Sequence, residues 1–97
     1  MNIAKSTREF VNGLQNIERD IITKLRESGI QITANNILWH RGKEIVPPPN
    51  VIELEIKAQG KSTNAVLSRE QVADSWERIS RPDVSALIRG LIADLIK

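Results

Sequence analysis

The chain has no cysteine, no tyrosine and a single histidine. Without cysteine, disulfides and thiolate metal sites are excluded. With one histidine, any nucleophilic triad built on imidazole has to pass through His40. Its neighbours Trp39 and Arg41 supply no base. A zinc site needs three or four ligands, and a lone histidine among scattered carboxylates is a poor start on one. No stretch approaches the ~18 apolar residues of a membrane span. The first residues, Met1 to Glu9, lack the apolar core and cleavage site of a secretory leader. Charge of one sign is also missing, since 14 basic and 12 acidic side chains leave a net +2 and alternate along the chain. Nucleic-acid binders more often carry a clustered basic face. These absences give the expectation of a cytoplasmic protein that is not an enzyme, with no cofactor, no metal and no membrane partner.

What is present is ordinary globular material. A length of 97 residues, with 40% hydrophobic and 27% charged side chains, fits one domain over 1–97 with a working core. Ser6 and Glu9 have capping-box spacing. Behind them Phe10, Val11, Leu14, Ile17, Ile21, Ile22 and Leu25 form a helical stripe that ends at Gly29. Asp20 and Lys24 pair at i, i+4 on its wet face. Gly13 inside the helix is unfavourable by about 1 kcal/mol against alanine and can mark a close helix contact.

After Gly29 the period changes to that of strands. Ile30-Gln31-Ile32 alternates, Asn35-Asn36 signals a turn, and Ile37-Leu38-Trp39 is a short apolar run. Arg41-Gly42-Lys43 reads as a hairpin tip with Glu44-Ile45-Val46 returning. Pro47-Pro48-Pro49-Asn50 then reads as a stiff spacer. Val51 to Ala58 is the best strand, with Ile52, Leu54, Ile56 and Ala58 on one side and Glu53, Glu55 and Lys57 on the other. Gln59 to Ser62 supplies a turn, and Thr63 to Leu67 returns. The pattern predicts an α+β domain: a long N-terminal helix, a small antiparallel sheet of three to four strands, and two C-terminal helices packed on one face.

The two closing helices are read from two further capping boxes, Ser68 with Gln71 and Ser80 with Asp83. Val72, Ala73, Trp76 and Ile79 give the first helix its stripe. In the second, Val84, Leu87, Ile88, Leu91, Ile92, Leu95 and Ile96 cover an arc of about 180°, against the roughly 100° a one-sided helix needs. The surplus implies a second contact beyond the chain's own core. Self-association or a protein partner through Val84, Leu87, Ile88, Leu91, Ile92 and Leu95 is therefore the leading expectation.

Residues 71–89 also resemble the helix-turn-helix of bacterial transcriptional regulators. Ala73 takes the place of the alanine that packs on the second helix, Ile79-Ser80 the turn, and Val84 the anchor of the recognition helix. Glu77 and Arg78 stand where the turn glycine is usual, and Ala73 to Ile79 is one residue longer than the standard spacing. The resemblance implies that Arg81, Asp83, Ser85, Ala86 and Arg89 lie at or near the DNA side. Residues 68–97 hold five basic and five acidic side chains, so the segment has no net attraction for phosphates.

Three smaller features bear on chemistry. Glu53 and Glu55 share a strand face, but with Lys57 beside them in solvent nothing separates their roles as acid and base. Gly60-Lys61-Ser62 matches the end of a P-loop, yet position 55 is Glu and a strand follows. Trp39-His40-Arg41-Gly42-Lys43 combines an aromatic, two cations and a flexible glycine, the ingredients for stacking a base and holding a phosphate. The element order is also similar to that of double-stranded-RNA-binding domains, without their basic cluster where Ser68-Arg69-Glu70-Gln71 stands. Trp39, Arg41 and Lys43 join Arg81, Ser85 and Arg89 as the candidates for nucleic-acid contact.

Overall fold

The computed structural model describes residues 3–96. Helix α1 (Ile3–Glu27) is followed by strands β1 (Ile37–Trp39), β2 (Val51–Ala58) and β3 (Lys61–Ser68), then helices α2 (Arg69–Ala73) and α3 (Pro82–Ile96). The strands form one antiparallel sheet in the order β1-β2-β3. The α+β class, the long first helix and the small antiparallel sheet are as the pattern predicts.

α1 already runs through Ser6, so the Ser6–Glu9 box does not start it. Its stripe does what periodicity requires: Phe10, Leu14, Ile17, Ile21 and Leu25 are all buried. The helix ends in a Schellman arrangement. Ile30 N–H donates to the Leu25 carbonyl at 2.8 Å and Gly29 N–H to the Arg26 carbonyl at 3.0 Å. Gly29 takes φ +86°, which only glycine adopts freely. Asp20 and Lys24 pair at 2.8 Å.

Ile30 and Ile32 are buried but form no strand, and neither do Glu44-Ile45-Val46. The returning partner of β1 is β2 itself, with Ile37 opposite Ile56 and Trp39 opposite Leu54. Eight alternating residues offer a longer ladder than three, so β2 takes the central position. Residues 43–50 cross to it without regular structure, turning at a cis Val46–Pro47 bond. The hairpin turn is shorter than expected: only Gln59 and Gly60, at φ +54° and +74°, join β2 to β3.

The Ser68–Gln71 box forms as read, with Gln71 N–H donating to Ser68 Oγ at 3.1 Å and Ser68 N–H to Gln71 Oε1 at 2.8 Å. The helix it opens stops at Ala73 rather than continuing to Ile79. The cause lies on α1. Val72 packs so closely there that a Cβ on Gly13 would collide with its carbonyl. The Asn16 amide then donates to the carbonyls of Ser75 and Trp76, each at 2.8 Å. Residues 74–81 form an irregular connection, and Trp76 is left exposed. The sheet's inner face, with Ile37, Ile52, Leu54, Ile56, Ala58 and Leu67, closes on α1 and α3 in a single core.

Candidate interaction surface

The helices cover one sheet face and leave the other open. Period two in β2 turns Val51, Glu53, Glu55 and Lys57 outward. The register sets Ser68, Val66, Asn64 and Ser62 opposite them, and places Leu38 opposite Glu55. Leu38, Val51 and Val66 are 41%, 54% and 58% exposed. Three large apolar side chains therefore lie in water on one face, among carboxylates and amides.

The connection after β1 folds over this face. His40, Arg41 and Gly42 take φ of +53°, +56° and +80° in succession. For histidine and arginine the left-handed region is unfavourable by about 1 kcal/mol or more each. The turn presses Gly42 toward Leu38, whose Cδ1 would lie 3.8 Å from a Cβ placed there. It also brings Arg41 to Glu53, with Nε donating to Oε1 at 3.1 Å. That hydrogen bond, and then the carboxylate charge, raise the Arg41 pKa above its ordinary value. Both groups are solvated, so the pair orients the loop more than it stabilises the fold. His40, Arg41, Lys43, Val51, Glu53 and Val66 line a shallow open groove of about 290 Å³.

The residues expected to contact nucleic acid divide between two sides of the molecule. Trp39 lies on the core side, where its indole N–H donates to Glu18 Oε1 at 2.7 Å and its ring packs on the core; it is not presented for base stacking. Arg41 and Lys43 are on the open face. Arg81 is held by Asp83 at 2.8 Å and Asp74 at 3.1 Å. Asp83 also accepts from the Gln71 amide and the Val84 N–H. These bonds, Arg81 first and Gln71 next, hold the Asp83 carboxyl down at about 2 against an ordinary 3.8. Ser85 is half-buried and its Oγ accepts from Arg89 at 3.0 Å; Arg89 is exposed. With α2 only five residues long, 71–89 does not form two helices about a tight turn. Ala73 and Val84 therefore lack the geometry the resemblance implies.

The expected α3 interface is likewise used differently. Val84, Ile88, Leu91, Ile92 and Leu95 are all buried within the single chain, and Leu87 is half-buried. The wide apolar arc is consumed by α1 on one flank and the sheet on the other, and of its seven side chains Ile96, at 50%, remains exposed. The open-face surface was readable only in part. Alternation alone puts Val51 outside, whereas Val66 follows only once the two-residue turn fixes the register.

Among the described residues, no three His, Cys, Asp or Glu side chains are grouped to hold a metal ion. No described helix is long and apolar enough to cross a membrane. Compared with known proteins, the chain matches no family model, no curated protein sequence and no solved structure.

Proposed function

We propose that the chain is a non-enzymatic interaction module that acts by laying its open sheet face against another protein. The observation that carries this reading is the exposure of Leu38, Val51 and Val66 on the sheet face that, among the described residues, no helix of the core covers and only the His40–Lys43 connection borders. Val51 and Val66 line one groove, with Leu38 set beside Glu55 on the same face, and apolar surface rimmed by polar side chains is characteristic of contact surfaces. Burying each such side chain against a partner contributes about 1.5–3 kcal/mol. The left-handed turn at His40–Gly42 adds a rim beside that patch, with Arg41 oriented by Glu53 and Lys43 next to it.

The test compares capture by the wild type with capture by the Leu38→Glu, Val51→Glu double variant. Both are presented to an extract of cells that make the protein, and captured chains are identified and re-tested in purified form. A purified partner that binds the wild type directly and loses the double variant, with circular dichroism unchanged, supports the proposal. Equal binding by both refutes it.

A further inference from the structure

We propose that a second copy of this chain pairs antiparallel along the free edge of β3, joining two sheets into one of six strands. The surface differs from the open face, and the inference goes beyond the reading given to that face. It starts from the hairpin. A two-residue turn makes Ala58 and Lys61 a pair that exchanges both main-chain hydrogen bonds. Alternation then directs the N–H and C=O groups of Ser62, Asn64 and Val66 away from β2. Among the described residues no strand pairs with that side. β3 is eight residues long and regular throughout its register with β2, and it contains neither proline nor a charge between Ser62 and Ser68. Natural edge strands are usually blunted by such devices. β1, the other edge, has only three residues and runs into the left-handed turn.

What fits this edge is an extended strand, and β3 is complementary to itself. Centred on Asn64, antiparallel pairing sets Asn64 opposite Asn64 of the second copy and Ser62 opposite Val66. No like charges meet across the seam. A specific interface buries about 1,200–2,000 Å² in total, more than three paired residues per strand supply, so a second element has to join. α3 is placed to do so. Gln71 binds Asp83 at its start and Thr63 binds Asp94 near its end, so α3 runs antiparallel beside β3. Leu87 and Gly90 lie two turns and one turn before Asp94 on the same flank. Leu87 is half-buried. Gly90 is unfavourable inside a helix, yet beyond its chain neighbours and its own helix backbone no described atom lies within 4 Å of where its Cβ would be. Nothing in the single chain calls for glycine there; close approach of the second copy's α3 does.

The test is sedimentation velocity of the full chain from low-micromolar to sub-millimolar concentration, with Asn64→Pro, Asn64→Lys and Gly90→Gln beside it. Asn64 N–H serves no bond to β2, so proline is tolerated on that edge. Lysine covers the case in which proline disturbs the strand. The wild type is expected to sediment at twice the chain mass. Asn64→Lys and Gly90→Gln should each weaken the dimer roughly tenfold or more with unchanged circular dichroism. Leu38→Lys, on the open face, should leave it intact. A wild type that stays monomeric across the range, or a dimer that survives either Asn64→Lys or Gly90→Gln, overturns the inference.

Discussion

Trp39 gives its indole N–H to the Glu18 carboxylate at 2.7 Å, and this bond ties the last residue of β1 to the middle of α1. A three-residue strand has little ladder of its own, so its position depends on that tether and on the burial of Ile37. Glu18→Ala should destabilise the fold by about 1–2 kcal/mol, in the range for a partly solvated bond to a charged group. Urea denaturation measures it. Trp39 emission should shift to the red, read in a Trp76→Phe background to remove the exposed indole.

Gly13 and Gly90 both sit inside helices, and alanine should act on them with opposite sign. At Gly13 the added methyl meets the Val72 carbonyl, so α2 must move off α1 and stability should fall by about 2 kcal/mol or more. At Gly90 the space is open. Alanine there should raise the stability of the dilute chain by about 0.8–1 kcal/mol through helix propensity alone. Thermal or chemical denaturation of the two single variants decides it.

Leu91 is 3% exposed in the single chain. Leu91→Asp should therefore unfold the protein, not merely separate copies, and the milder Leu91→Ala should lower stability by about 2–5 kcal/mol. Circular dichroism distinguishes these outcomes from simple dissociation. A folded, monomeric Leu91→Asp chain would make the buried face of α3, and not only its Leu87–Gly90 flank, an interface.

Asp83 gives the acid response. Its carboxyl ionises at about 2 in the folded chain against an ordinary 3.8, first because of Arg81 and then Gln71. A carboxyl depressed by folding stabilises the native state above its unfolded pKa, and that contribution is lost as pH falls from 3.8 toward 2. Asp83→Asn should lower the melting temperature at neutral pH, with the difference from wild type closing as pH approaches 2. Arg81→Gln should move the Asp83 titration, followed by carboxyl NMR, back up toward the ordinary value.

Much of the fold is legible from local pattern. The stripe from Phe10 to Leu25, the alternation of β2, the Ser68–Gln71 cap and the Gly29 stop each depend on spacing or on a special backbone angle. Neighbours along the chain suffice to specify them. The misread segments are those settled by distant residues. Nothing near Val72 reveals that Gly13 and Asn16, some sixty positions upstream, would end α2 at Ala73 and remove the helix pair on which DNA contact was read. Nothing in 44–46 shows that the longer β2 would take β1 as its partner.

The same division applies to the surfaces. Helix and strand periodicity alone sets which faces are apolar, because it directs the side chains. The same periodicity gives α3 more apolar surface than one contact needs. Where that surplus goes depends on packing between distant elements. Burial against α1 and the sheet together removes more apolar area from water than either alone, so the arc from Val84 to Leu95 is spent inside the chain. Among the described residues, the helices that share the sheet's core lie on one side of it. Its opposite face, with Leu38, Val51 and Val66, is therefore left exposed, and no described strand pairs with its β3 edge.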